Sequence, residues 1–140
     1  MEIDVNQDCA GVDWKKVSET LKLVGMAYYD PHVHRKAFEA SHTTVFLYHG
    51  DSLIGFGRAI SDDVYQAAIY DCAVLPEFQG KGIGKTIMDN ILSQVSHCNV
   101  ILYASPGKEG FYQKHGFRKM KTGMARFKKS EAMRENGFTE

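Results

Sequence analysis

Gly80, Gly82 and Gly84 alternate with Lys81, Ile83 and Lys85 shortly after an apolar run that ends at Leu75-Pro76. Glycines at this spacing, ahead of an amphipathic helix, leave the N–H groups of its first turn open to an approaching ligand. The same turn carries the positive end of the helix dipole, so the chemistry on offer is the binding of phosphate oxygens. Lys81 and Lys85 add charge. Two familiar phosphate turns fail on spacing. A P-loop needs glycine, four residues, then Gly-Lys-Ser/Thr; Gly84-Lys85-Thr86 supplies the end, but position 79 is glutamine. A dinucleotide turn needs its last glycine at a position occupied here by Lys85 or Ile87. What remains is a phosphate site of a third kind, or a glycine-rich connector with no ligand.

Asp71 is the second candidate. It interrupts the run Ala67, Ala68, Ile69, Tyr70, Cys72, Ala73, Val74 and Leu75, where a carboxylate is costly unless paired or used. It is either a proton acceptor or an ionised aspartate at a strand edge or bonded to a neighbouring loop. His32, His34 and His42 have the look of a metal cluster but lack an acidic or thiol partner at supporting spacing, so they read as surface residues and no metal is expected. Cys72 has no histidine placed beside it by the sequence and is not a candidate nucleophile.

These residues need a frame. Ile3 and Val5 alternate with charged residues as in a short strand, and Asp13 can cap a helix bearing Trp14, Val17, Leu21 and Val24. Asp30-Pro31 opens a second helix with Val33, Ala37 and Phe38 on one side. Residues 43–49, 53–60 and 65–75 are β-branched and aromatic runs separated by Gly50-Asp51-Ser52 and Ser61-Asp62-Asp63, which predicts three consecutive antiparallel strands. Ile83, Ile87, Met88, Ile91, Leu92 and Val95 form the stripe of a helix over 82–96. Residues 99–104 read as a buried strand, and strand, helix, strand in that order imply a parallel crossover in a mixed sheet. A short helix runs from Pro106-Gly107 to His115-Gly116, two closing strands follow at 117–120 and 124–128, and residues 130–140 read as a tail, loosely helical or disordered.

The chain has 140 residues, 44% of them hydrophobic, which suits one domain with a real core. Its 17 basic and 17 acidic side chains cancel, so no overall field favours nucleic acid or an anionic membrane. Cys9, Cys72 and Cys98 are odd in number and far apart, as expected of reduced thiols in a cytoplasmic protein. No segment approaches the ~20 apolar residues of a membrane span.

Two segments carry a family resemblance. Gln79-x-x-Gly82-x-Gly84, within the run from Asp71-Cys72-Ala73-Val74 to Lys85, is similar to the Gln/Arg-x-x-Gly-x-Gly/Ala signature of the GNAT acetyltransferases. Downstream, Gly110-Phe111-Tyr112-Gln113-Lys114-His115-Gly116-Phe117 resembles that superfamily's Phe-Tyr-x-x-x-Gly-Phe element. Tyr70-Asp71 is also similar to the aromatic-Asp pair of the plant-type arylalkylamine (serotonin) N-acetyltransferases. The order of elements agrees with the GNAT fold over residues 1–128, leaving 129–140 as a tail. The resemblance implies a single-domain α/β fold, with a mixed, mostly antiparallel sheet of six to seven strands flanked by about four helices.

It also implies chemistry. Acetyl-CoA would lie with its pyrophosphate on the backbone of Gly80, Lys81, Gly82, Ile83, Gly84 and Lys85, beside Gln79, and its pantetheine arm along Cys72, Ala73 and Val74. An N–H among residues 73–75 would polarise the thioester carbonyl. An alkylamine with a pKa of ~10 is protonated at neutral pH, so some group must take its proton; Asp71 or a water is the candidate. Tyr112 stands where the family places its general acid, and also touches the cofactor; the bland alternative is that Phe111 and Tyr112 only pack the short helix. Ala104-Ser105 departs from the family, where many relatives carry an Asn or Asp. The implied acceptor is a primary amine of a small molecule (arylalkylamine, polyamine, amino sugar or amino acid). The alternatives are a protein lysine or a non-catalytic acyl-CoA-binding module, and the family also allows a homodimer.

Overall fold

The computed structural model describes residues 1–140. The chain divides into two compact units, Met1–Leu102 and Tyr103–Glu140.

The first unit is a five-stranded sheet in the order β1-β2-β3-β4-β5, namely Asp4–Asn6, Thr43–His49, Ser52–Ser61, Gln66–Val74 and Asn99–Ile101. All neighbours are antiparallel except β4 and β5. The turn between β3 and β4 is held by Asp62, whose Oδ1 accepts from the N–H groups of Val64, Tyr65 and Gln66. These bonds favour the ionised carboxylate and draw its pKa down.

Helix α1, Trp14–Leu23, starts at Asp13, whose side chain accepts from Lys16 N–H at 3.2 Å. It stops at Gly25, where φ is +78°, a conformation that favours glycine. Helix α2, Pro31–Glu39, begins after Asp30, which makes no side-chain cap bond. Its inward face carries His34 and Phe38, while Val33, expected on that side, is 39% exposed. Val17, Leu21, Phe38, Phe46, Phe56 and Ala73 form a core cluster. Burying each of the three phenylalanines stabilises the fold by roughly 1.5–3 kcal/mol.

Helix α3, Ile83–Gln94, packs on β2, β3 and β4. It approaches the sheet closely because β3 carries glycines beneath it. A Cβ on Gly55 would meet Ile87 at 3.0 Å, and one on Gly57 would meet the Cys72 sulfur at 2.7 Å. No helix is long and apolar enough to cross a membrane.

The second unit contains α4, Glu109–Gln113, and α5, Ser130–Glu135. Tyr103 gathers it, with its ring 5.3 Å from Phe127 and 6.1 Å from Phe138. Residues 130–135, part of the expected tail, are thus an ordered helical turn, stopped at Gly137 with φ +85°.

Two expectations are corrected. The sheet has five strands rather than six to seven, because residues 117–120 and 124–128 join no ladder. Met120 and Met124 are 61% and 95% exposed. A two-stranded hairpin without a covered face is marginal on its own, and this stretch buries too little apolar surface to fix one. Strand β5 is also short and exposed rather than buried: it is three residues long, and Ile101 is 50% exposed.

Candidate active site

Strand β4 carries the centre of the site. On one side it pairs with β3 as far as Val74, and on the other it pairs with β5 only at Gln66, Ala67 and Ala68. From Ile69 onward one edge of β4 has no ladder partner. Alternation fixes which groups face that edge. Leu75 N–H donates to the Ile54 carbonyl at 2.8 Å, so the N–H and C=O of Val74 point the other way. The Val74 carbonyl there accepts from Gln79 Nε2 at 3.1 Å. Of the stretch 73–75, Val74 is therefore the residue whose N–H faces the open edge.

The strand is also kinked. Tyr70 pairs with Arg58 and Ala73 with Phe56, which leaves Asp71 and Cys72 opposite Gly57 alone. This is a β-bulge, and Asp71 takes its sharp turn with φ +56°. A left-handed aspartate costs roughly 1–2 kcal/mol, so the surroundings must hold it. They do so on both faces. The Cys72 sulfur fills the space left by Gly57 beneath α3. Asp71 Oδ2 accepts from Arg58 Nε at 2.7 Å, with the two side chains 23% and 15% exposed. The expectation of a paired or functional Asp71 thus meets its pair. Burial and then the neighbouring Asp71 charge push the Cys72 thiol up to about 12, which keeps it protonated and unfit as a nucleophile.

Arg58 was visible in the sequence as a lone charge in the apolar run 53–60, the same signal as Asp71, but nothing local paired the two. His34, read as a surface residue, is corrected: it is 3% exposed, and its Nε2 accepts from Tyr29 N–H at 2.8 Å. Burial lowers its pKa, with the charge of Asp71 opposing and that of Arg58 assisting. His32 is exposed, and His42 turns to Asp63, so the three histidines enter three different environments.

After β4, Pro76–Phe78 makes one 3₁₀ turn, and Gly80 and Gly82 follow with φ of +76° and +82°. Gly82 is the N-cap of α3 and offers no side-chain cap. The first helical bond runs from Thr86 N–H to the Gly82 carbonyl at 3.1 Å, so the N–H groups of Ile83, Gly84 and Lys85 lack intrahelical acceptors. A Cβ on Gly80 or Gly82 would meet nothing within 4 Å. These glycines answer to backbone conformation, with φ in the left-handed region, and not to packing. Lys81 lies over the Phe78 ring at 5.5 Å, and Lys85 pairs with Asp89 at 2.6 Å on the surface. An exposed pair of this kind is worth ~0–1 kcal/mol and yields readily to a phosphate.

Asp71, Cys72, Ala73, Val74, Gln79 and the turn to Lys85 thus follow one another along β4 and into α3. Tyr112 belongs to the second unit. It is half-buried on α4, with its ring 5.2 Å from Phe111 and 6.0 Å from Phe117. Two surface clefts of about 350 and 550 Å³ lie along the N-terminal segment and include neither Asp71 nor the glycine turn.

The profile of the acetyltransferase (GNAT) domain matches residues 15–129. The chain belongs to the GNAT acetyltransferase family. This GNAT chain is 34% identical over 117 residues to an uncharacterised N-acetyltransferase, ycf52, of Gracilaria tenuistipitata var. liui, covering 81% of this chain and 60% of that protein. It is 30% identical over 120 residues to the chloroplastic serotonin N-acetyltransferase 2 of Oryza sativa subsp. japonica, with the same coverages of 81% and 60%. The chain therefore spans about 60% of the length of these relatives. The crystal structure of a probable acetyltransferase from meticillin-resistant Staphylococcus aureus superposes with a TM-score of 0.82 at 28% identity, covering 91% of this chain and 99% of that one. The family signature, Gln79-x-x-Gly82-x-Gly84, falls after β4 and at the uncapped start of α3.

Proposed function

We propose that this chain is an acetyl-CoA-dependent N-acetyltransferase that moves an acetyl group directly to a primary amine of a small molecule. One observation carries the reading. The free edge of β4, which Val74 N–H faces, leads through the Gly80-Lys81-Gly82 turn to three uncapped N–H groups of α3, a track with backbone donors at both ends. That track suits a long, flexible ligand with an anionic pyrophosphate part-way along it. Gly80, Lys81, Gly82, Ile83, Gly84 and Lys85 would hold the pyrophosphate. Gln79, already bonded to Val74, steadies the corner, and Cys72, Ala73 and Val74 would receive the pantetheine arm. When bound, the cofactor supplies an acetyl group on a thioester.

The remaining tasks fall to the chain. Val74 N–H is the donor to a carbonyl oxygen that gains negative charge in the reaction; one such preorganised donor is worth roughly 2.7–4 kcal/mol of barrier. Asp71, directly or through a water, accepts the ammonium proton so that the amine attacks as a neutral nucleophile. A phenol, with a reference pKa of ~10, keeps its proton at neutral pH, and Tyr112 gives that proton to the departing thiolate. A small-molecule acceptor is supported by the likeness to the rice serotonin N-acetyltransferase.

The test is to incubate the protein with acetyl-CoA and a panel of arylalkylamines, polyamines, amino sugars, amino acids and lysine peptides, following free thiol and acetyl-CoA binding. Turnover on a small amine is the expected result. Binding without turnover on any amine would replace the enzyme by an acyl-CoA-binding module, and absence of both would end the reading.

A further inference from the structure

Arg58 stands in the interior of β3 with its side chain 15% exposed, and its guanidinium is engaged from several directions at once. Nε donates to Asp71 Oδ2 at 2.7 Å, and one terminal nitrogen donates to Ser41 Oγ at 3.2 Å. The guanidinium carbon lies 5.7 Å from the centre of the Phe38 ring and 5.4 Å from that of Tyr70. Ser41 is itself fixed, because its hydroxyl donates to the Ala37 carbonyl at 2.8 Å at the end of α2. Side chains from α2, the α2–β2 corner and β4 thus converge on the guanidinium that β3 carries. That guanidinium holds one oxygen of a carboxylate whose backbone is in the left-handed region at φ +56°.

The arrangement is specific in a way that stability alone does not require. Two charges taken out of water are commonly matched or surpassed by apolar side chains of the same size. The bond is also to Oδ2 alone, not the two-pronged contact that arginine readily makes with a carboxylate. A single-pronged contact tethers Oδ2 while leaving the lone pairs of Oδ1 to another donor. We propose that Arg58 is a positioning residue for amine acetylation: it orients the Asp71 carboxylate so that Oδ1 receives the acceptor's proton, and Ser41 orients Arg58 in turn. This rests on the reading of Asp71 as proton acceptor in the proposed function.

The test compares Arg58→Met, Arg58→Lys, Ser41→Ala, Asp71→Asn and the Arg58→Met/Asp71→Asn double variant with the unaltered chain. The readouts are kcat and KM on an amine that gives turnover, acetyl-CoA affinity by calorimetry, and Tm. Methionine keeps the length of the stem without the charge, so it separates packing from orientation. Asp71→Asn and Arg58→Met should each lower kcat by about ten-fold or more, with acetyl-CoA affinity held within about two-fold. The double variant should be no slower than Asp71→Asn alone, because Arg58 acts through Asp71. Lysine keeps the charge without the planar fork and should recover part of the loss. Ser41→Ala removes one bond at the rim of the cluster and should lower kcat in the same sense by a smaller factor, which decides the matter if Arg58→Met does not fold. An unchanged kcat in Arg58→Met or, failing that, in Ser41→Ala overturns the proposal. So does a loss that multiplies with that of Asp71→Asn. Those results, with the unaltered chain active, sink this inference alone; an unaltered chain that neither binds acetyl-CoA nor turns over an amine sinks the proposed function and this inference with it.

Discussion

Tyr112 carries its predicted role on a single oxygen atom. Its ring is held by Phe111 and Phe117, contacts that phenylalanine would keep. Tyr112→Phe should therefore lower kcat by about 10²-fold while leaving acetyl-CoA affinity within about two-fold. Steady-state kinetics alongside direct binding checks this, and an equal loss of both would remove the tyrosine as the acid. Gly57 makes the opposite kind of prediction, about stability alone. A methyl group there meets the Cys72 sulfur at 2.7 Å and Ile91 at 3.0 Å, so Gly57→Ala should destabilise by about 1–3 kcal/mol. Adding Cys72→Ala should return part of that loss in thermal unfolding, and a double variant no better than the single one would place the strain elsewhere. The two residues lie on the same bulge, one shaping it and one filling it.

Helix α3 is the element in which sequence and structure agree most closely. The stripe Ile83, Ile87, Met88 and Ile91 is buried as its period requires, and Gly82 opens the helix as its position suggests. The structure alters the reason for the glycine. With φ +82° and no atom within 4 Å of where a methyl group would stand, Gly82 faces open space. Gly82→Ala should cost roughly 1–2 kcal/mol through backbone strain alone. A bulky Gly82→Val should in addition abolish acetyl-CoA binding by standing over the N–H groups of α3. Calorimetry separates the two, and a valine variant that still binds would move the pyrophosphate away from this turn. Strands β4 and β5 show the reverse relation. Both were legible as apolar runs, but the point where they part, after Ala68, depends on which backbone groups find partners and has no signature in residue type.

Across the molecule, acid should act first near the site. The buried His34 accepts a hydrogen bond from Tyr29 N–H, and burial holds its pKa below the ordinary value. As pH falls below about 6.5 the unfolded chain takes up a proton at this position, and the folded chain does so only at lower pH. The unfolded state then binds more protons, so stability is lost as pH falls through that window and is fully present above it. The Tm of the unaltered chain should drop as pH is lowered below about 6.5, and that of His34→Gln, whose amide oxygen can still accept from Tyr29, should drop less. Parallel curves would assign the acid sensitivity to other groups.

The sequence by itself determined the turn chemistry, the secondary-structure periods and the family, because those depend on residues close together in the chain. Gln79 in place of glycine ruled out a P-loop, and the spacing to Gly82 and Gly84 matched the GNAT signature instead. Asp71 announced itself as a charge in an apolar strand. Tertiary structure alone decided what Asp71 faces, because Arg58 reaches it across a strand pair and Ser41 reaches Arg58 from the end of α2. It also decided that His34 is buried, through the way α2 lies on the core, and that residues 117–128 stay out of the sheet. Burial and pairing are settled by the sum of many weak, long-range contacts, which no short stretch of residues contains.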